Sequence, residues 1–190
     1  MLVASQKIGM NNNIIKRLNA MKLIRVFTVL SLLYVLSCSD TATGPEENFP
    51  DAVDFSLTDI DGNQFTLSDF YDGVIVLNFF ASWCGPCQEE MPNLEKNIWK
   101  IYKDQNVMVI GIDLIEDLGV VKLYAVNNML TFRIVIDISG EIFAAYTGGS
   151  TVTNVPFNVI IDTNQKIRYS ETGYNENVMI TLIEELLNKD

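Results

Sequence analysis

Histidine is absent from this 190-residue chain, and that one gap removes whole classes of chemistry. No Ser–His–Asp triad, Cys–His nucleophile, histidine metal site or Cys-x-x-Cys-His haem attachment can be assembled. Basic residues are also short, 13 Lys and Arg against 24 Asp and Glu for a net charge of −11. No surplus remains to meet phosphates, which excludes a nucleic-acid binder. Proline occurs 5 times and glycine 11 times, while 48% of the residues are hydrophobic. That balance excludes disordered, collagen-like and low-complexity chains and suits one domain with a real core, plus a targeting segment. What the sequence does have is three cysteines, Cys38, Cys84 and Cys87, and the functional reading turns on them.

The first 37 residues contain no acid but carry Lys7, Lys16, Arg17, Lys22 and Arg25. The remainder holds all 24 acids against 8 basic residues, a net of −16, and so abrupt a shift marks a processing boundary. After Arg25 comes an uncharged run of 11 residues, Val26 to Leu36. A membrane-spanning helix needs about 17–25 apolar residues, the apolar region of a signal peptide about 7–15. Residues 1–37 therefore read as a signal peptide, with Met10 or Met21 as alternative starts. Ser37-Cys38 at the end of the run resembles the lipobox of bacterial lipoproteins, which implies lipidation of Cys38 and a membrane anchor. Plain secretion with an incidental cysteine, and an uncleaved anchor, are the rival readings. Residues 38–48 then form the anchor and a polar tether with Gly44-Pro45 as breakers, and 49–190 the folded domain.

Within that domain, Asp54–Thr58 and Asn63–Leu67 alternate around Asp61-Gly62 and predict a hairpin. Asp59-Ile60-Asp61-Gly62 is no calcium loop, because the glycine comes too early and no closing glutamate stands in place. Val74–Ala81 and Val107–Asp113 are apolar runs expected of strands covered on both faces. Helices are predicted from Pro86 to about Tyr102 (Met91, Leu94, Ile98 and Ile101 inward, Glu95 mostly elsewhere) and over Asp117–Leu130 (Leu118, Val121, Tyr124, Ala125 and Met129 inward). Phe132–Ile136 is strand-like and Ser139–Tyr146 a short helix. Phe157–Ile161 and Lys166–Tyr169 flank a turn, and Val178–Asn188 closes as a helix. The expected class is α/β, a mixed central sheet flanked by helices with an added N-terminal hairpin.

Trp83-Cys84-Gly85-Pro86-Cys87 comes directly after the first buried strand and opens the first helix. Two residues between cysteines at a helix start let the sulfurs meet across the first turn. The unpaired N–H groups and positive end of the helix stabilise a thiolate on Cys84. Thiols in such motifs fall from about 8.5 to roughly 3.5–7.5. Pro86 suits the first turn, where its missing N–H has no helical partner. Cys84 is thus the expected nucleophile, and Cys87, deeper in the helix, the resolving thiol. Two bland readings compete. A zinc site lacks two further ligands, and a purely structural bridge over so short a loop constrains the unfolded chain little.

Asn78-Phe79-Phe80-Ala81-Ser82-Trp83-Cys84-Gly85-Pro86-Cys87, continued by Glu89-Glu90-Met91-Pro92, resembles the extracytoplasmic thioredoxin-like oxidoreductases of the TlpA/ResA type, within the AhpC/TSA–redoxin superfamily. The resemblance runs from about Phe49 to the C-terminus and implies a thioredoxin-like fold and dithiol–disulfide exchange without a cofactor or metal. It implies a reductase of protein disulfides, among them apocytochrome c, fed by a membrane thiol donor in the bacterial cell envelope. It marks Trp83, Gly85 and Pro86 as active-site residues and Val155-Pro156 as a cis-proline loop that offers the Val155 backbone to substrate. Pro92 matches a helix-shaping proline. Thioredoxin's buried strand aspartate is replaced here by Asn78, and the acid that this branch places near the thiols falls at Glu90, for which a solvated helix glutamate is the alternative.

Two rivals remain at this level. A peroxiredoxin-type peroxidase shares the fold, but Ala81 stands where its Thr or Ser would, and Arg133 and Arg168 are the only arginines after residue 37. A Cu(I)- or thiol-binding chaperone module would find soft ligands in Cys84 and Cys87 but no methionine pair or histidine to complete the site.

Overall fold

The computed structural model describes residues 48–70, 72–150 and 154–189. The expected signal segment, Cys38 and the tether up to residue 47 lie outside the described residues. The predicted hairpin pairs β1 (Ser56–Thr58) with β2 (Gln64–Thr66). Gly62, at φ 92°, makes its turn, and the Asp59 carboxylate accepts the backbone N–H groups of Asp61 and Asn63. Arg133 closes that turn from outside, 2.6 Å from Asp59, so these acids are turn chemistry.

The main sheet contains β3 (Val74–Phe80), β4 (Val107–Leu114), β5 (Arg133–Asp137), β6 (Phe157–Ile161) and β7 (Ile167–Thr172). Their order is β5-β4-β3-β6-β7. β3, β4 and β5 run parallel, whereas β6 is antiparallel to both its neighbours. The helices are α1 (Gly85–Asn93), α2 (Leu118–Asn127), α3 (Glu141–Thr147) and α4 (Glu176–Leu187). Every residue of β3 is buried, which is why its sequence is a continuous apolar run. Val74, Val76 and Phe80 pack with residues of α1, α2 and α4, while Ile75, Leu77 and Phe79 pack with α3 and the hairpin. The strand end that leads into the cysteines is thereby fixed from both faces.

The first helix departs from a simple period. After Pro92 it passes through a π-helical segment, Leu94–Trp99, before a last α turn, Lys100–Tyr102. Pro92 has no N–H to give, and the wider segment rotates the residues C-terminal to it about the helix axis. Ile101, expected inward, is exposed, whereas Glu95, expected outward, is only 3% exposed and accepts the Thr131 backbone N–H and hydroxyl. α2 corrects the expectation in another way. It is apolar nearly all round, so periodicity carries little information there; Val121, Tyr124 and Ala125 are buried, while Leu118 is exposed and Met129, beyond the helix end, is 76% exposed. In α4 the buried set is Met179, Ile183 and Leu186, and Val178 faces out.

The start of the domain is fastened beside the β6–β7 turn. The Ile167 N–H donates to the Pro50 carbonyl and the Ala52 N–H to the Gln165 carbonyl, each at 2.8 Å. Lys166 pairs with Asp51 at 2.7 Å, and the Arg168 guanidinium lies 4.2 Å from the centre of the Phe49 ring.

Candidate active site

Beyond Phe80 the chain turns through Ala81-Ser82-Trp83 and reaches Cys84, the N-cap of α1, with extended φ −79° and ψ 112°. This conformation aims Cys84 Sγ back at the helix, where it accepts the Cys87 backbone N–H at 3.2 Å. Pro86 occupies the first turn. A disulfide joins Cys84 to Cys87. Both cysteines are buried, Cys87 fully, whereas Trp83 beside them is 58% exposed, and Gly85 and Pro86 are exposed as well. The helix N-terminus therefore supplies a backbone donor and a positive dipole end to Cys84, which favours a thiolate there once the bridge is reduced.

Val155–Pro156 is a cis peptide bond, and the Val155 carbonyl oxygen lies 3.6 Å from Cys84 Sγ. The two sequence-distant halves of the expected site thus meet at Cys84. Val155 is half-buried and Pro156 buried.

Glu90 is buried one turn past Cys87, while Glu89 is exposed. One oxygen of Glu90 accepts from the side-chain amides of Asn78 at 2.6 Å and Asn158 at 2.8 Å. The other, Oε2, is buried without a partner. Burial pushes the Glu90 carboxyl up to about 7, against the opposing pull of the Asn158 amide. A carboxyl with one oxygen fixed by two donors and one vacant carries its proton on the vacant side. Asn78 also donates to Asn158 Oδ1 at 2.9 Å, and Asn158 to the Gly173 carbonyl at 3.0 Å. The buried acid thus sits on the helix at Glu90, where the sequence reading placed it, with the strand asparagine Asn78 donating to it.

A second polar group sits on the other side of the turn into Cys84. Glu116, in the connection from β4 to α2, accepts both the backbone N–H and the hydroxyl of Ser82, each at 2.6 Å. Behind it Asp113 is fully buried, and Tyr124 of α2 donates from its hydroxyl to the Cys87 carbonyl at 3.4 Å. Sequence reasoning passed over Asn158, Asp113, Glu116, Ser82 and Tyr124. The signal for Asn158 and Asp113 was there: each is a polar residue inside an otherwise apolar strand. Among the described residues no group of three or more Cys, Asp or Glu side chains is placed to hold a metal ion, and no helix is long and apolar enough to cross a membrane.

Comparison with known proteins agrees with this geometry. The AhpC/TSA family matches residues 50–170. The chain belongs to the AhpC/TSA family. A thiol-disulfide oxidoreductase ResA from Geobacillus kaustophilus is 36% identical over 122 residues, covering 64% of this chain and 67% of the relative. A ResA from Halalkalibacterium halodurans is 29% identical over 175 residues, 87% of this chain and 97% of the relative. Among solved structures, a candidate protein disulfide isomerase from Bacteroides thetaiotaomicron is 37% identical with a TM-score of 0.64, covering 73% of this chain and 88% of that one. This AhpC/TSA member is a thioredoxin-like thiol–disulfide oxidoreductase, and its substrates are protein thiols and disulfides.

Proposed function

We propose that the protein is a reductase of protein disulfides outside the cytoplasm, with Cys84 as nucleophile, Cys87 as resolving thiol and Glu90 as proton acceptor. The observation that carries this reading is the Cys84–Cys87 bridge at the start of α1 with the Val155 carbonyl 3.6 Å from Cys84 Sγ. A substrate strand lies along the Val155 backbone, and the Cys84 thiolate attacks one sulfur of its disulfide. A mixed disulfide forms, and the first substrate sulfur leaves as a thiolate that takes a proton from water. Cys87 passes its proton to Glu90 and attacks Cys84 Sγ. The Cys84–Cys87 bond forms, the bond to substrate breaks, and the second substrate thiolate departs. Two electrons have moved from the cysteine pair to the substrate, and a membrane thiol donor restores them. A carboxyl raised to about 7 by burial is matched to accepting and releasing a proton near neutrality.

The acid-free leader with its uncharged run supports export, and Ser37-Cys38 supports a lipid anchor on the envelope side of a membrane. Apocytochrome c is the substrate suggested by the TlpA/ResA resemblance. The peroxidase rival is disfavoured because both arginines of the domain are engaged elsewhere. Arg133 pairs with Asp59 and Arg168 with Asp162, at 2.6 and 3.1 Å, so neither is left to polarise a peroxide. Equilibration of the Cys84–Cys87 pair against glutathione or dithiothreitol tests the direction. A potential near roughly −270 mV or below supports the reductase, and one toward roughly −120 mV makes the protein an oxidant and overturns it.

A further inference from the structure

Four strand ends stand in a row at the pole of the sheet that carries the cysteines. The order is β5-β4-β3-β6, and Phe80, Asp113 and Ile136 are in register across β3, β4 and β5. Because β6 runs the other way, its start lies beside the end of β3. Val155 therefore precedes β6, Cys84 follows β3, Glu116 follows β4 and Ile138 follows β5, all at one pole. Glu116 ties its segment to Ser82, two residues before Cys84, and the Ile115 N–H donates to the Asp137 carbonyl at 3.3 Å.

On the β4–β5 half of this row, apolar side chains remain in solvent. Ile138 is 63% exposed, Ile115 51% and Leu118 45%. Ile115 also holds φ 64°, a backbone region that β-branched residues rarely enter. Single exposed apolar residues are ordinary, whereas neighbouring ones beside a reactive site mark a contact surface. Leu118 and Ile138 line a groove of about 450 Å³, together with Leu57 of the hairpin and Ile136 of β5. Glu116 and Asp117 line it as well. Asp117 is exposed, and its carboxylate makes no capping hydrogen bond at the start of α2.

We propose that this groove docks the polypeptide substrate of the exchange reaction, taking an aliphatic or aromatic side chain about three residues from the reacting cysteine, with a basic residue beside it. The inference rests on the reading of Cys84 as nucleophile and Val155 as the substrate's edge. Continuity with that site argues for this occupant: a strand laid along Val155 and brought to Cys84 continues across the end of β4 toward that of β5. Two strand spacings separate β3 from β5, roughly 10 Å, which an extended chain covers in about three residues. Charge argues for it too. After residue 37 the chain holds 24 acids against 8 basic residues, so the groove favours basic neighbours in the substrate and repels acidic ones.

Short peptides whose single cysteine is disulfide-bonded to thionitrobenzoate test this, since attack by Cys84 on the peptide sulfur releases the coloured thiolate. One peptide carries leucine three residues before the cysteine and another three residues after it, each with lysine beside the leucine. With the reduced protein, the peptide whose leucine reaches the groove should react about tenfold faster than a counterpart with glycine in its place, the scale of burying most of a leucine side chain. Leu118→Ser combined with Ile138→Ser, both at exposed positions, should bring that ratio down to about one. Asp117→Asn should slow the lysine-bearing peptide at low salt and leave it unaffected at high salt, where exposed charges are screened. Leucine peptides no faster than their glycine counterparts overturn the proposal, as does a ratio that survives the double substitution. Were the groove the seat of a second copy of this chain, the oxidised parent would run as a dimer on gel filtration and the double variant as a monomer, which also overturns it. Failure of the Cys84 reading would appear separately, as release of thionitrobenzoate from leucine and glycine peptides alike surviving Cys84→Ser.

Discussion

Asn158 stands directly opposite Asn78 in the antiparallel β3–β6 pair, and both amides donate to the same oxygen of Glu90, at 2.8 and 2.6 Å. The strand register therefore sets the acid's environment: two residues 80 positions apart in the chain form one clamp, and the helix lowers Glu90 into it. A slip of β6 by one residue would turn Asn158 to the other face of the sheet and leave Asn78 alone on the acid.

Removing one arm of the clamp should shift the acid. The Asn158 amide pulls the Glu90 carboxyl down against burial, so Asn158→Ala should carry it above about 7. The pH at which Cys87 resolves a mixed disulfide should rise with it, and stability should fall by about 1–3 kcal/mol as buried polar atoms lose partners. Stopped-flow resolution rates across pH would read the shift; an unmoved profile would separate Glu90 from the proton transfer.

Stability itself should depend on pH through Glu90. The unfolded chain releases this proton near the ordinary value of 4.5, the folded one only near 7. Between those values the unfolded state binds fewer protons, so stability falls as pH rises and levels off above. The drop is on the order of 3 kcal/mol. Asp113, raised from 3.8 to about 8, acts in the same direction and extends the decline upward. Urea unfolding of the oxidised protein at several pH values should show this slope, and Glu90→Gln should flatten its lower part.

The cysteine roles separate by substitution. Cys84→Ser should abolish exchange, whereas Cys87→Ser should accumulate a mixed disulfide with substrate, visible on non-reducing gels. If the trap forms with Cys84→Ser instead, nucleophile and resolving thiol are reversed.

Glu95 gives a prediction about stability rather than chemistry. It is buried yet held below the usual carboxylate range, because the two Thr131 hydrogen bonds and Lys100 outweigh the effect of burial. Glu95→Ala should cost about 1–3 kcal/mol by taking the acceptor from the Thr131 N–H and hydroxyl, with little change in exchange rate. A variant as stable as the parent would mean that the Thr131 contacts contribute nothing net.

The sheet was legible because Val74–Ala81, Val107–Asp113 and Phe157–Ile161 are apolar runs broken by turn residues, and the cysteine motif because its spacing has few other uses. The inward and outward faces of the first helix were not legible past Pro92, since a π-helical segment obeys neither period used to read a sequence. α2 was opaque for the opposite reason, having apolar residues on every side. Asn78, Asp113 and Asn158 were each visible as a polar intruder in a buried strand. What no single strand could reveal was the partner, because pairing register and the approach of Glu90 and Glu116 are properties of the assembled sheet.

The fastening of Phe49–Ala52 beside the β6–β7 turn has a geometric consequence. In β6, Phe157 lies next to Phe79, at the strand end leading to Cys84, and Ile161 next to Ile75, at the opposite end. The turn after Ile161, and Phe49–Ala52 beside it, therefore occupy the end of the sheet opposite the cysteines, roughly 20 Å away. The contacts that fasten the start of the domain and the pair that exchanges sulfur thus stand at opposite ends of the same sheet, so neither crowds the other.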